Sequence, residues 1–426
     1  MKQSTLMKCL LGTVMILCLL CLSSCLGEDV PRMYGNYWYT VKDDEVTITS
    51  YSGFETDITV PDTIKGMPVV AIDGDFAAPL MRVLTIPDSV RYIGGQTFLD
   101  CIQLEKVNLG NGIEEISFSA FSRCEKLLYN EYGGGKYLGN EESPYVALVT
   151  VASTEMEVIT LHPDTVVVAG NALENCNKIK EIVFPDKVLS LGDWALWYCT
   201  SLETVYIPAS VKYIDSWAFQ RCDSLENIVV SPENTHYRSI DGSLFSYDGT
   251  HLVRYAVGQS AHSYRIPDGT VTIGSRAFER ADNLREVIFP DSLEAIYSWA
   301  FDDCLNLRSI VFGNGLKLIQ TQAFLNCVSL LEITLPDSLE EIEYSTFSGC
   351  KNLKKVTVGA GVTEIEHGAL AGCSALETVV FVDPNGWTVR GNGWFLEDVA
   401  VDVSDPAKNA EYFTREYANY NWRKHS

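Results

Sequence analysis

The sequence lacks the short motifs that most metal sites and catalytic centres require. After Cys25 it contains no Cys-x-x-Cys pair, and its six histidines form neither a His-x-x-x-His pair nor a His-Glu-x-x-His motif. It also has no Gly-x-Ser-x-Gly elbow, phosphate-binding loop or dinucleotide fingerprint. We therefore predict a protein that is not an enzyme and that holds no metal or cofactor.

Basic residues are scarce relative to acidic ones. The chain carries 32 Lys and Arg against 56 Asp and Glu, a formal net charge of −24. A surface this acidic repels phosphate backbones, so we expect no nucleic-acid partner. Solubility outside the cell is the favoured interpretation of the charge, and electrostatic steering toward a basic partner is the alternative.

The N-terminus has the features of an export signal. An apolar run from Leu10 to Leu22 follows Lys2 and Lys8, and it is short for a transmembrane helix but suited to a signal peptide. The next residues complete Leu22-Ser23-Ser24-Cys25, which resembles the lipobox of bacterial lipoproteins. The resemblance implies a signal peptide over 1–24, a lipid on Cys25 as the membrane anchor, and a tether over 25–33. An ordinary secretory peptide cleaved nearby is the alternative.

A 23-residue repeat organises the chain over residues 70–381. Its marker is a cysteine with an aromatic residue or leucine three residues earlier and apolar residues three, six and eight residues later. Alanine takes the cysteine position in two repeats, so about eleven repeats are recognisable. The marker positions are Ala78, Cys101, Cys124, Cys176, Cys199, Cys222, Ala281, Cys304, Cys327, Cys350 and Cys373.

A period of this length with leucine-like positions is typical of a leucine-rich-repeat solenoid, in which each repeat buries its apolar side against its neighbours. The Leu-x-x-Val-x-Ile segment alternates as a short strand does, and Pro-Asp-Ser turns the chain. We predict a β-rich repeat solenoid of about eleven 23-residue rungs. The residue after the middle aliphatic should face outward, as at Asn108, Tyr206, Ile288, Thr334 and Thr357.

The repeat frame also resembles that of a known family. Residues Ile86 to Cys101 read Ile-Pro-Asp-Ser-Val-x-x-Ile-Gly-x-x-x-Phe-x-x-Cys, which is similar to the BspA-type leucine-rich-repeat proteins of bacterial surfaces. The resemblance covers roughly residues 40–382. It implies a right-handed curved solenoid and members that act as adhesins or bind host and neighbour-cell proteins. It carries over no binding residue, because no binding motif is fixed across the family.

Two insertions interrupt the repeat, at about 128–160 and 229–264. The first contains Gly133-Gly134-Gly135, and the second contains Asp241-Gly242 and Asp248-Gly249 between apolar runs, a strong hairpin signal. We predict a hairpin arm in each insertion, which either shapes a binding surface or pads the flank.

The two ends depart from the repeat. Residues 34–69 are predicted as a strand-rich N-terminal capping module, and 382–426 as a C-terminal cap with a helix that Asp405 begins. Such caps are expected because open solenoid ends expose apolar edges.

The repeated cysteines are interpreted as a small, buried apolar position stacked from rung to rung. Disulfides between adjacent rungs are the alternative, since a secreted setting permits them.

Aromatic residues supply the candidate binding positions. Trp194, Trp217 and Trp299 each lie five residues before a marker position, and the first two should lie about 5 Å apart on adjacent rungs. They either stiffen the ladder, which is favoured, or hold a sugar ring or an apolar side chain of a partner. With the outward strand and the first insertion, the candidate partner-binding residues are Trp194, Trp217, Trp299, Tyr206, Tyr132 and Tyr137.

The sequence therefore favours a lipid-anchored, surface-exposed protein that binds another extracellular or host protein. A surface carbohydrate-binding protein and a structural envelope protein that binds nothing are the alternatives. The anchor would lie in a cell membrane or an outer membrane.

Overall fold

The computed structural model describes residues 30–76, 78–391 and 397–425. These residues form two compact units, one made of the described residues up to Tyr129 with Leu138–Val146, the other of Asn130–Tyr137 and the described residues from Ala147 onward. Each unit is a β-solenoid, and together they contain about 15 turns spaced by about 23 residues, which confirms the predicted fold class. The predicted signal peptide and Cys25 lie outside the described residues.

The first unit contains ten strands. They are β1 (Arg32–Tyr34), β2 (Tyr37–Lys42), β3 (Glu45–Tyr51), β4 (Asp57–Thr59), β5 (Thr63–Ile64), β6 (Met67–Asp75), β7 (Val83–Ile86), β8 (Tyr92–Ile93), β9 (Lys106–Leu109) and β10 (Glu115–Ile116). Strands β1, β2 and β3 form an antiparallel meander, and β3 then pairs in parallel with β6. After β6 each rung adds one parallel strand to each of two ladders, β4-β7-β9 and β6-β8-β10.

The second unit has the same two-ladder construction. Its strands as far as the second insertion are β11 (Asn130–Tyr132), β12 (Gly135–Leu138), β13 (Ala147–Val151), β14 (Val167–Val168), β15 (Glu181–Val183), β16 (Ser190–Leu191), β17 (Thr204–Ile207), β18 (Tyr213–Ile214), β19 (Asn227–Val230), β20 (Tyr237–Ile240), β21 (Ser243–Ser246) and β22 (His251–Arg254). Those that follow are β23 (Ser263–Arg265), β24 (Thr272–Ile273), β25 (Glu286–Ile288), β26 (Ala295–Ile296), β27 (Ser309–Val311), β28 (Leu318–Ile319), β29 (Glu332–Thr334), β30 (Glu341–Ile342), β31 (Lys355–Val358), β32 (Glu364–Ile365), β33 (Thr378–Phe381), β34 (Trp387–Gly391), β35 (Val399–Ala400) and β36 (Tyr420–Lys424).

The Pro-Asp turns connect successive rungs through the aspartate side chain. Asp291 Oδ1 accepts the backbone N–H of Asn314 at 2.8 Å, and Asp337 Oδ1 accepts that of Ala360 at 2.8 Å. Each pair is 23 residues apart, so the carboxylate satisfies a donor in the turn of the next rung. This hydrogen bond explains the acidic residue after proline, which propensity alone attributes to turn formation.

The marker cysteines are buried, and the described residues contain nine of them, all free. Seven of the nine described thiols donate to the carbonyl of the aromatic or leucine position one rung earlier, as from Cys304 to Phe278 O at 3.1 Å and from Cys327 to Phe301 O at 3.2 Å. The predicted small buried position is therefore confirmed. The thiol also satisfies a carbonyl that alanine would leave to another partner.

Phenylalanine rings three residues before the markers stack along the core. Successive centroids of Phe278, Phe301, Phe324 and Phe347 are 4.5, 4.9 and 5.2 Å apart, and the interplanar angles are 10°, 8° and 8°. All four rings are fully buried. Core packing therefore follows the period of the backbone ladders.

The turn around each marker places non-glycine residues in the left-handed region. Positive φ recurs one and five residues before the marker, and the second position includes Trp194 at 54°, Arg276 at 57° and Trp299 at 57°. Large side chains rarely adopt this conformation. The repeat geometry thus fixes the direction in which these side chains leave the backbone.

Both insertions contain the predicted hairpins. Strands β11 and β12 pair antiparallel around Gly133-Gly134, and β20 and β21 pair antiparallel around Asp241-Gly242. The structure adds that each insertion returns to the ladder, since β13 pairs in parallel with β14 and β22 with β24. Joining the ladder satisfies backbone groups that a free arm would expose. Each insertion thus supplies a turn without a marker residue.

The C-terminal residues close the last rung. Helix α1 (Pro406–Glu411) begins at Asp405, whose side chain accepts the N–H groups of Ala407 and Lys408, as predicted. A π-helical turn over Tyr412–Glu416 leads to β36, which pairs antiparallel with β32. The indole of Trp422 is buried against Phe413, with centroids 4.2 Å apart. In the described part of the chain, no helix has the length and hydrophobicity needed to cross a membrane.

Candidate binding surface

In each unit, the strands that follow the marker residues present a row of side chains outward. The predicted outward residues are exposed or half-buried, whereas the aliphatic residue before each of them is buried. They are Asn108 in the first unit and Tyr206, Ile288, Thr334 and Thr357 in the second.

Three apolar members of this row are neighbours on adjacent strands. Val183 pairs with Tyr206, and Tyr206 pairs with Val229, in the parallel registers of β15, β17 and β19. Their exposed fractions are 56%, 37% and 42%. We call Val183, Tyr206 and Val229 the apolar stripe. Sequence analysis identified only Tyr206, although the other two occupy the same repeat position.

Trp194, Trp217 and Trp299, which we call the tryptophan column, are connected by a ring contact and by the side chain of Arg276. Trp194 and Trp217 lie on adjacent rungs with ring centroids 4.9 Å apart and an edge-on angle of 79°, close to the predicted spacing. The guanidinium of Arg276 lies 4.3 Å from the ring centroid of Trp217 and 5.0 Å from that of Trp299. All three indoles are half-buried. Because a cation already covers faces of two rings, the geometry favours the stiffening interpretation.

Arg276 also faces two carboxylates. Its Nη1 lies 3.3 Å from Glu279 Oε1 and 3.8 Å from Asp302 Oδ2, and the side chains of the three residues are 12%, 8% and 15% exposed. Gln220 connects this group to the column, since it accepts the indole N–H of Trp194 and donates to Glu279. The column is thus the outer layer of a largely buried polar network.

Burial, together with the nearby charges of Asp303 and Glu279, raises the pKa of Asp302 to about 7. Arg276 lowers this pKa, but at 3.8 Å the ion pair is long and does not offset the loss of solvation. Asp302 therefore holds a proton in the folded protein at pH values where it is ionised in the unfolded chain.

We expect Asp302→Asn to stabilise the protein above pH 7. A raised pKa means that the folded state binds the proton more tightly, so this group favours folding below about pH 4 and opposes it increasingly as pH rises to about 7. The difference between this pKa and the ordinary value of 3.8 corresponds to at most ~4 kcal/mol, and Asn removes this penalty. Urea unfolding of both proteins at pH 8 and pH 4.5 measures it. If Asp302→Asn changed the unfolding free energy by the same amount at both pH values, the raised pKa of Asp302 would be contradicted.

The two candidate tyrosines of the first insertion differ in exposure. Tyr132 is 40% exposed and meets the His162 ring edge-on at 4.7 Å. Tyr137 is fully buried, and its hydroxyl accepts the backbone N–H of His162 at 3.1 Å. Tyr137 is therefore a core residue rather than a surface contact, which corrects its selection as a binding candidate. It lies on β12 between two strands of the sheet, where its ring packs inward.

A cavity of about 910 Å³ lies beside the apolar stripe. One wall consists of residues 157–161 and the other of residues around β15, including Lys178, Lys180, Val183 and Pro185. No sequence motif indicated it. Among the residues that the structure describes, no group of three or more His, Cys, Asp or Glu side chains is arranged to hold a metal ion.

The fold and this surface define a leucine-rich-repeat β-solenoid that presents a strand face outward. The chain matches the BspA type Leucine rich repeat region in six copies, over residues 74–132, 150–253 and 254–377. These ranges cover more than half of the chain, so the protein belongs to the BspA-type leucine-rich-repeat family, as its repeat frame implied.

Several solved structures are similar. A leucine rich cell surface protein from Faecalibacterium prausnitzii is 23% identical, with 84% of this chain and 96% of that chain covered and a TM-score of 0.47. The pneumococcal vaccine antigen PcpA is 20% identical over 84% and 88%, with a TM-score of 0.49. A leucine-rich repeat protein from Eubacterium ventriosum is 18% identical over 83% and 85%, with a TM-score of 0.49. No curated protein matches the chain.

Proposed function

We propose that this protein is displayed on the bacterial surface through a lipid on Cys25 and binds a host or neighbour-cell protein through its outward strand face. The apolar stripe is the observation that carries the proposal. Exposed apolar residues are ordinary when scattered, but adjacent ones form a patch that favours association. Strand spacing of about 4.8 Å brings Val183, Tyr206 and Val229 into one row.

The family and the N-terminal sequence support the location. Members of the BspA-type family occur on bacterial surfaces, and Leu22-Ser23-Ser24-Cys25 resembles a lipobox. An extended repeat face suits binding of a large, shallow partner surface rather than catalysis.

The proposal is tested with the chain from residue 30, which retains all the described strands. Its binding to whole host cells and to extracellular-matrix proteins should be saturable and abolished by protease treatment of the target. Binding that survives protease but is lost after glycosidase treatment would favour a carbohydrate partner instead. Absence of binding to any of these targets would favour a structural envelope role.

Changing the stripe should weaken this binding. We expect the double variant Tyr206→Ser/Val229→Ser to lose at least tenfold in affinity, since removing two apolar contacts costs more than about 1.4 kcal/mol. Thr334→Ala changes the same outward repeat position outside the stripe and serves as the matched control. Affinity is measured by surface plasmon resonance on the bound matrix protein. Equal affinity in all three proteins would rule out the stripe as the contact.

A further inference from the structure

Strand β15 has a sheet partner on one side only. It is the first strand of the sheet β15-β17-β19. Residues 157–161 run beside its other edge in the repeat register, since Ile159 and Leu161 lie 23 residues before Ile182 and Phe184. All four side chains are buried. Residues 157–161 therefore lie one repeat before β15 in sequence but form no strand of its sheet.

The backbone hydrogen bonds between the following rungs show which ones are missing between residues 157–161 and β15. Glu226 N–H donates to Glu203 O at 2.9 Å and Thr204 N–H donates to Lys180 O at 3.1 Å, each toward the preceding rung. Phe184 N–H donates to Tyr206 O of the following rung at 3.2 Å. Within 157–161 and 180–184, both fully described, no equivalent backbone hydrogen bond joins the two segments. By analogy with β17, the N–H groups of Glu181 and Val183 point toward residues 157–161.

Residues of both segments line the cavity of about 910 Å³. Its outer rim carries Val158 and Val183, which are 71% and 56% exposed. The nearby cations are already neutralised, because Lys178 lies 2.8 Å from Glu155 and Lys180 lies 2.8 Å from Glu203. The cleft thus combines unused backbone donors and acceptors with an apolar rim and no free basic charge on these two lysines.

We propose that this cleft binds an extended segment of a protein partner as an added β-strand between residues 157–161 and β15. Main-chain hydrogen bonds to Glu181 and Val183 would supply affinity, and the exposed valines would select apolar or β-branched side chains at alternate peptide positions. A sugar has no strand backbone, so it would match neither the spacing of these backbone groups nor the alternating side-chain positions. The inference deepens the proposed function and rests on it for the partner class.

The first measurement is amide hydrogen exchange of the chain from residue 30. The amides of Glu181 and Val183 should exchange at least tenfold faster than those of Thr204 and Tyr206, the equivalent positions on β17, because the latter amides lie within a paired ladder. Similar protection at the two pairs would show that the cleft edge is closed and overturn the proposal.

The second measurement uses a phage-displayed library of linear twelve-residue peptides. Peptides that bind should protect the amides of Glu181 and Val183 from exchange. Methylation of alternate backbone nitrogens in such a peptide should reduce affinity at least tenfold, while methylation of the intervening ones is tolerated. A library that yields no binder, or binders insensitive to methylation, would overturn the proposal.

Variants of Val183 test the same hydrogen bond from the protein side. Val183→Pro removes an N–H that donates to no described backbone acceptor, and should reduce peptide affinity at least tenfold. Val183→Thr keeps the N–H and is the matched control, with affinity close to that of the unchanged protein. If Val183→Pro also changes the amide protection of β17, the variant has disturbed the sheet, and the affinities of the methylated peptides then provide the test. Unchanged peptide affinity in Val183→Pro would overturn the proposal that the peptide binds in this cleft.

The cell-binding assay separates this inference from the proposed function. Cell binding without amide-dependent peptide binding would overturn the cleft and leave the surface-binding function standing. Amide-dependent peptide binding without protease-sensitive cell binding would support the cleft as a peptide site and reject the proposed cellular role.

Discussion

Replacing Phe301 with alanine is expected to reduce the free energy of unfolding by about 3–5 kcal/mol, the range for deleting a buried aromatic side chain. The Phe301 ring is fully buried and stacks on Phe278 at 4.5 Å and on Phe324 at 4.9 Å. It also meets the Phe289 ring edge-on at 5.7 Å. One substitution therefore removes contacts to both neighbouring rungs, and little of the void can close because the backbone ladders fix the rung spacing.

Urea unfolding monitored by tryptophan fluorescence, together with amide exchange of the flanking rungs, measures this loss. Repeat arrays can unfold in parts, so exchange shows whether the effect remains local. Phe54→Ala is the control for residue type, because Phe54 is 76% exposed and should cost less than about 0.5 kcal/mol. A loss below about 1 kcal/mol for Phe301→Ala would mean that the ring ladder does not carry the packing we describe.

The parts of the fold that repeat could be predicted from sequence. A fixed spacing between markers such as Cys304 and Cys327 determines which residues stack, and the alternation around Val205 determines that Tyr206 faces outward. Asp-Gly pairs predicted the hairpin at Asp241-Gly242 for a local steric reason. These inferences depend only on neighbours along the chain or one period away.

The insertions could be predicted only in part, because their contacts follow no period. Tyr137 was selected as a surface residue from its aromatic neighbours, yet its side of the strand is set by the pairing of β12. The glycine at position 135 is also explained by the buried ring of Tyr137. A Cβ added at Gly135 would lie 2.7 Å from this ring and from Leu148. That crowding is visible only once the strands are paired.

The network around Arg276 depends on a contact across 59 residues. Trp217 and Arg276 occupy the same repeat position, but the second insertion lies between them in sequence. They meet because that insertion contributes strands and no marker turn, so the turns at Cys222 and Ala281 become neighbours, as the Gln220 to Glu279 hydrogen bond shows. The cleft beside β15 is likewise a property of strand separation, which sequence spacing does not encode.

Replacing Arg276 with alanine is the second large effect that we expect. The change removes the cation between Trp217 and Trp299 and leaves Glu279 and Asp302 buried without it. Breaking a buried ion pair from one side typically costs about 3–5 kcal/mol, and we expect a loss in this range at pH 8. The loss should be smaller at pH 5, because Asp302, whose pKa is about 7, is then protonated and needs no counter-charge.

Gln322→Ala provides the matched control, because Gln322 occupies the same repeat position with φ of 56°, against 57° for Arg276. Alanine therefore imposes the same backbone strain at both sites, and the difference between the two variants isolates the side-chain network. Urea unfolding at pH 8 and pH 5 measures both variants, and adding Asp302→Asn to Arg276→Ala should restore part of the loss at pH 8. Two results would contradict this prediction: equal losses of unfolding free energy in Arg276→Ala and Gln322→Ala, or no recovery when Asp302→Asn is added. Either would show that ring packing alone stabilises the tryptophan column and that the buried charges are uncoupled from it.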